Sequence, residues 1–319
     1  MNHDWSHPWR MLYVQPPVGA LDGRVAIVTG AGRGIGRGEA LALAAEGAAV
    51  VVNDLGTALD GKSETSHADD VVNEIAGRGG TAMASADDVA SWTGAQRLIE
   101  STIDQFGRLD ILVNNAGVLR DQMSFKMDED AWDAVIRVHL KGHIAPTRFA
   151  SEHWRAQSKA GDDSGRRVIN TVSEAGLYGG TGQANYAAAK AGIAGMTIAL
   201  ARELKNYGVT VNAIAPRART RMTETVLGDY GAPPEGDAFD EWDPENIGPV
   251  VAWLASDDAA DVTGQVFVVF GGRLHLMEGW TMVSEIEQNE RWSVGAIAAR
   301  KAELFGERRP GAPKMGFGR

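Results

Sequence analysis

Thr29-Gly30-Ala31-Gly32-Arg33-Gly34-Ile35-Gly36 packs four glycines into eight residues, between an apolar run that ends at Thr29 and a stretch with helical spacing. So little side chain lets backbone N–H groups approach an anion closely, and the helix N-terminus that follows stabilises it. The segment therefore predicts a strand–turn–helix unit whose turn holds the pyrophosphate of a dinucleotide. Gly30, Arg33, Gly34, Ile35 and Gly36 are the residues expected to touch it. Glycine-rich turns without ligands share this pattern, so its weight depends on its surroundings.

Those surroundings are an alternation of apolar runs and helical spacing. Strands are predicted at 24–29, 48–53, 81–86, 109–114, 167–173, 209–215 and 266–270, with helices at 35–47, 67–77, 91–106, 128–154 and 183–207. Near-continuously apolar strands separated by helices call for a parallel sheet covered on both faces. Right-handed crossovers then give a doubly wound α/β sheet. Residues 21–272 form the expected single domain, flanked by extensions at 1–20 and 273–319. Residues 216–243 lack periodicity and carry seven carboxylates. They follow a strand C-terminus, where such sheets bind ligands, and are read as a lid. Trp5, Trp9 and Tyr13 in one extension, and Trp280 and Trp292 in the other, suggest docking on a neighbouring subunit.

Composition removes several function classes. Forty-two Asp and Glu against 31 Lys and Arg give a net charge of −11, so there is no basic footprint for nucleic acid or an anionic membrane. Cysteine is absent, which excludes disulfides, thiol nucleophiles and cysteine-ligated metals. No apolar stretch approaches the ~18 residues of a membrane span, and residues 1–20 lack the apolar core of a secretory signal. A cytoplasmic location is the resulting expectation. His3 and His7 are two imidazoles without a third ligand, so no metal is expected.

Asp54 closes the second predicted strand, 24 residues after Gly30. A carboxylate there hydrogen-bonds the adenosine ribose and repels a 2′-phosphate, which favours NAD over NADP. Arg33 and Arg37 argue the other way, with less weight because Asp54 sits where the ribose should lie. Asn115, Ala116 and Gly117 follow the fourth strand, where small residues let a cofactor lie against the strand end. Asp87, Asp88 and Val89 follow the third, where a carboxylate can accept from adenine or serve as a helix N-terminal acid.

Tyr186 and Lys190 are spaced i, i+4 on a predicted helix, and Ser173 lies thirteen residues earlier at a strand end. Tyrosine titrates near ~10, too high for a base at neutral pH. A neighbouring ammonium and an oxidised nicotinamide are expected to lower it. The phenol then moves a proton as base or acid while the cofactor moves a hydride. Ser173 is placed to donate to the substrate oxygen.

Residues 29–36, 114–117, Ser173 and the Tyr186–Lys190 spacing resemble the short-chain dehydrogenase/reductase family across roughly 21–272. The resemblance implies a Rossmann-type doubly wound sheet of about seven parallel strands and a homodimer or homotetramer. VVNDLG at 51–56, GVLRD at 117–121, RVHLK at 137–141, GQANY at 182–186 and RMTETV at 221–226 are similar to one branch, the (3R)-hydroxyacyl-CoA dehydrogenase domain of peroxisomal multifunctional enzyme type 2. Bacterial relatives of that branch act on hydroxyacyl-CoA or hydroxysteroid substrates. Where most members carry an Asn in the proton relay, this chain and that branch carry His139, which can both donate and accept. A packed helix histidine is the alternative. The family's Pro-Gly after the sixth strand is Pro216-Arg217 here, which leaves a nicotinamide role for Thr220 open.

Three readings follow: an NAD-dependent dehydrogenase of hydroxyacyl-CoA or hydroxysteroid substrates, a general NAD(P)-dependent reductase of hydrophobic carbonyls, or a dinucleotide-binding module without turnover. Ser173, Tyr186 and Lys190 together favour an enzyme. In the lid, Arg217, Arg219 and Arg221 could meet coenzyme A phosphates, while Met222, Val226, Leu227, Tyr230 and Phe239 offer apolar contact.

Overall fold

The computed structural model describes residues 19–56, 67–223, 232–308 and 310–312. The aromatic residues at 5, 9 and 13, the pair His3 and His7, and the lid residues 224–231 lie outside them. Eight strands form one sheet in the order β3-β2-β1-β4-β5-β6-β7-β8. They are β1 (Val25–Thr29), β2 (Ala49–Asn53), β3 (Ala82–Ser85), β4 (Ile111–Asn114), β5 (Arg166–Thr171), β6 (Val209–Arg217), β7 (Val266–Phe270) and β8 (Arg273–Met277). The first seven pair in parallel. β8 returns antiparallel, with Phe267 opposite Leu276. The sheet thus has one strand more than expected, drawn from the segment read as a C-terminal extension.

Because β1 pairs with both β2 and β4, the chain winds outward in opposite directions from that pair. Such a switch leaves a crevice at the strand C-termini, where the glycine turn and Asn115-Ala116-Gly117 emerge. Alternate side chains feed two cores. Val28, Val113, Ile169 and Ile214 pack under α1 (Gly34–Ala45), α2 (Ala68–Gly77) and the later helix over residues 248–255. Ile27, Leu112, Val168 and Val211 pack on the other face with Trp154, Leu98 and Leu200. That face carries α3 (Trp92–Phe106), α4 (Glu129–Val135), α5 (Gly142–Lys159) and α7 (Ala184–Leu204), and the short α6 (Glu174–Tyr178) follows β5.

The single helix expected over 128–154 is interrupted. Asp128 caps α4 by accepting from the N–H of Ala131 at 2.7 Å, and a π turn, Ile136–Lys141, separates α4 from α5. It holds His139. α8 (Gly248–Ala255), unpredicted, packs on α1; α9 (Val294–Ala299) and α10 (Lys301–Phe305) end the described chain. Among the described residues no helix is long and apolar enough to cross a membrane, and no group of three His, Asp or Glu is placed to hold a metal.

Candidate active site

The glycine turn works by removing side chains from a backbone crossing. Gly30 and Gly34 have φ of 64° and 56°, the left-handed region that glycine adopts without strain. A Cβ on Gly30 would sit 2.8 Å from Cα of Ala116, and one on Gly36 would sit 2.4 Å from the Gly30 carbonyl oxygen. Asn115 fastens this crossing: its Nδ2 donates to the carbonyls of Thr29 and Gly30 at 2.9 and 3.1 Å. The Thr29 hydroxyl in turn accepts from the N–H groups of Asn115 and Ala116. Among the described residues no side chain caps α1, and its first turn, with Gly34, Ile35 and Gly36, lines the cavity. A cradle built from glycine, with an uncapped helix start, fits a pyrophosphate.

Asp54 stands at the end of β2 and touches the turn. Its Oδ2 accepts from the N–H of Gly32 at 2.9 Å and its Oδ1 from Gly56 at 2.8 Å. Arg37, weighed above as a phosphate partner, is spent elsewhere: it binds Glu74 at 2.7 Å and Glu245 at 2.7 Å and does not line the cavity, whereas Arg33 does. Asp87 pairs with Arg97 at 2.8 Å and Asp88 with Arg137 at 2.9 Å. Both line the cavity with Val89, Asn115, Ala116 and Gly117.

Ser173 ends the loop after β5 and caps α6, its Oγ accepting from the N–H of Ala175 at 3.2 Å. Tyr186 lies in the first turn of α7 and hydrogen-bonds Ser173. Lys190, one turn on, is buried; its Nζ donates to the Thr171 carbonyl at 2.6 Å and lies 5.6 Å from the centroid of the Tyr186 ring. The expectation that the ammonium lowers the phenol does not hold for the protein by itself. Removal from water pushes Tyr186 up to about 12, against the pull of the Ser173 hydrogen bond, and pushes Lys190 down to about 7. Desolvation dominates because Lys190 is buried and Tyr186 half-buried, and the lysine is anchored on a carbonyl, not on the phenol.

His139 is buried in the π turn, where Nε2 meets the carbonyl oxygen of Val118 at 2.7 Å. Its ring stands edge-on to that of Tyr186, centroids 5.1 Å apart. Gly117 makes the room: a Cβ there would fall 2.4 Å from Cε1 of His139. Burial, with Lys190 beside it, holds the imidazole well below its usual range, hence neutral. Its Nδ1 has no hydrogen-bond partner among the described residues.

Several neighbours escaped the sequence reading. Asn185 is buried next to Tyr186, and its Nδ2 donates to the carbonyls of Arg120 and Ala131 at 2.9 and 3.1 Å, tying α7 to the loop after β4. Arg217, read above as a departure and as able to meet coenzyme A phosphates, grips Glu174 bidentately beside Ser173, a partner the sequence did not suggest, and both line the cavity. Arg219 likewise holds Asp240. Each of these two arginines thus has an acidic partner within the protein. Thr220 lines the cavity, near Gly34.

The glycine turn, Asp54, Asp87, Asp88, Asn115, Gly117, His139, Ser173, Tyr186, Lys190, Arg217 and Thr220 border one cavity of about 700 Å³. It runs from the glycine turn and Asp54 to Ser173, Tyr186, Lys190 and His139.

Comparison with known proteins fits this geometry. Residues 24–230 match the short chain dehydrogenase family. Hydroxyacyl-CoA dehydrogenase ChsB1 of Mycobacterium tuberculosis is 46% identical over 292 residues, 89% of this chain and 87% of that protein. Peroxisomal multifunctional enzyme type 2 of Mus musculus is 43% identical over 253 residues, 79% of this chain but 32% of that enzyme. The crystal structure of a short chain dehydrogenase from Mycobacterium avium matches with a TM-score of 0.83 at 51% identity, covering 93% of this chain and 100% of that one.

Proposed function

The chain belongs to the short-chain dehydrogenase family and is an oxidoreductase acting on a CH–OH group; we propose that it uses NAD(H) and acts on 3-hydroxyacyl thioesters of coenzyme A, with Ser173, Tyr186 and Lys190 carrying the chemistry. The observation that carries the reading is the single cavity in which the glycine turn and Asp54 share walls with Ser173 and Tyr186. The substrate class rests on the name of the Mycobacterium tuberculosis relative, which is matched over most of its length. NAD is favoured because Asp54 lies against the turn while Arg37 is bound to two glutamates.

Gly30, Arg33, Gly34, Ile35, Gly36, Asp54, Asp87, Asp88, Val89, Asn115, Ala116 and Gly117 would hold the dinucleotide, joined by Tyr186 and Lys190 at its reactive end. When bound, the nicotinamide supplies the hydride acceptor or donor and, oxidised, a positive charge. Tyr186 takes the hydroxyl proton in alcohol oxidation and returns it in ketone reduction. Ser173 donates to the substrate oxygen as negative charge develops on it. Lys190 anchors that end of the cavity through Thr171 and, when protonated, stabilises the phenolate. His139 braces the Tyr186 ring and, through Nδ1, offers a further proton-relay group.

Steady-state oxidation of a 3-hydroxyacyl-CoA, a hydroxysteroid and simple secondary alcohols, each with NAD⁺ and NADP⁺, tests the reading. Highest kcat/KM with the thioester and NAD⁺ is expected; equal rates across the panel would return the general-reductase reading. We also infer a homo-oligomer, supported by the exposed Leu276, Trp280 and Met282 (64%, 100% and 80% accessible). Light scattering that gives the monomer mass would remove that inference.

A further inference from the structure

Asn185 stands one residue before Tyr186 and is 0% exposed. Among the described residues no side chain caps α7, which begins at Ala184, so its first N–H groups need acceptors from elsewhere. Asn185 supplies one: its Oδ1 accepts from the Tyr186 N–H at 2.8 Å. Both hydrogens of its amide are used as well. Nδ2 donates to the Arg120 carbonyl at 2.9 Å and to the Ala131 carbonyl at 3.1 Å. A buried amide paired in this way holds its neighbours in one arrangement, because a shift would strand polar groups away from water.

Both carbonyls belong to segments that lead to the other neighbour of the phenol ring. Arg120 lies in the loop after β4, which lines the cavity from Val118 to Asp121. The Val118 carbonyl of that loop meets Nε2 of His139 at 2.7 Å. Ala131 lies in α4, which runs directly into the π turn that carries His139. The His139 ring in turn stands edge-on to Tyr186, centroids 5.1 Å apart. Contacts therefore close a circuit from Tyr186 through Asn185, Arg120, Val118 and His139 back to Tyr186. Two further bonds join the same loop to the approach of α7. The Gln122 N–H donates to the Gly182 carbonyl at 2.8 Å, and Gln183 donates to Asp121 at 2.7 Å in an exposed position. Asn185 is the buried side chain of the set.

We propose that Asn185 is a positioning residue for the proton transfer: it holds the first turn of α7 against α4 and the loop after β4, and so sets where the Tyr186 hydroxyl stands in the cavity. The proposal rests on the reading of Tyr186 as the group that moves the proton. Ser173 and Lys190 meet the phenol from the end of β5, and neither touches the backbone that carries it. That backbone is held by Asn185 through the Tyr186 N–H. Displacing a reacting group by about 1 Å costs on the order of 10²-fold in rate. Dinucleotide binding is spared, because Asn185, Arg120 and Ala131 are not among the residues that would hold it.

The test uses the full chain and the best alcohol of the panel above, unlabelled and deuterated at the carbinol carbon. NADH fluorescence titration counts the intact sites, so that turnover is expressed per site. Asn185→Ala should lower kcat per site at least about tenfold, with NADH affinity held and a deuterium isotope effect no smaller than the parent's. Asn185→Ser, whose hydroxyl can accept from the Tyr186 N–H and donate once, should fall between the alanine variant and the parent. It decides the question by itself if the alanine variant does not fold. Full turnover per site, a smaller isotope effect, or a rate loss that only follows the loss of NADH sites overturns the proposal. If neither variant binds NADH, Asn185 holds the fold as a whole and the positioning role fails. Tyr186→Phe is measured alongside. If it still turns over, the underlying reading fails; if it is inactive while the Asn185 variants keep full turnover, only the role of Asn185 fails.

Discussion

Nζ of Lys190 is bonded to the carbonyl oxygen of Thr171, 2.6 Å away, with the Tyr186 ring centroid 5.6 Å distant. The lysine is therefore fixed by the strand end that also delivers Ser173, and its influence on the phenol is electrostatic. Its charge state then matters more than its reach, and charge state is set by what surrounds it.

Asp54 governs cofactor choice in this account. Asp54→Ala should lower the ratio of kcat/KM for NADH over NADPH at least tenfold, about 1.4 kcal/mol of discrimination. Part of that comes from the loosened turn, because Gly32 loses an acceptor at 2.9 Å. A ratio that does not move would assign Asp54 to loop structure alone.

Gly117 and His139 should be coupled. A Cβ at 117 would meet Cε1 of His139 at 2.4 Å, so Gly117→Ala should cost about 1–3 kcal/mol by overpacking and lower kcat by pushing the imidazole against Tyr186. His139→Asn should keep most turnover, since asparagine both donates and accepts. The double variant should recover part of the alanine penalty, and additive losses in a thermal-denaturation cycle would contradict the contact.

Glu174 and Arg217 form an ion pair only 11% and 14% exposed at its side chains. Removing either partner strands a desolvated charge, so Glu174→Gln and Arg217→Gln should each lose about 1–3 kcal/mol. The double variant should lose less than the sum. Because the pair abuts Ser173, the single variants should also lower kcat; unchanged kcat with full loss of stability would confine the pair to a structural role.

Much of this architecture is legible in the sequence, for reasons that also explain what is not. β1, β4 and β7 are apolar runs buried on both faces, and the glycine turn and the Tyr186–Lys190 spacing are local patterns. β8 is a short edge strand whose Leu274 and Leu276 remain exposed, so burial leaves no mark on its composition. The π turn around His139 adds one residue to a helix, which periodicity over 128–154 cannot resolve. Glu39 reads as an ordinary solvent-facing helix residue, and only the packing of α1 against the sheet makes it buried. Arg217 was visible as an oddity, but its partner Glu174 lies 43 residues away.

Stability should report the buried ionisable groups with opposite signs. Glu39 is raised in the fold, from 4.5 to about 8. The native state therefore binds the extra proton between those values, and this contribution falls as pH rises through them. His139 and His143 are lowered well below 6.5, so the unfolded chain binds their protons first and their contribution is lost as pH falls below 6.5. The Tm advantage of Glu39→Gln over the parent should accordingly be small near pH 4.5 and grow toward pH 8. A pH-independent difference would show that Glu39 titrates alike in both states.

The central claim is that the phenol of Tyr186 moves the proton at a site where a dinucleotide is held independently by the glycine turn. Tyr186→Phe, assayed by NAD⁺-linked alcohol oxidation and by NADH fluorescence titration on the same preparation, tests it most directly. The account predicts that turnover falls at least about 10²-fold while NADH affinity changes little. Retained turnover, or loss of NADH binding in step with activity, would contradict it.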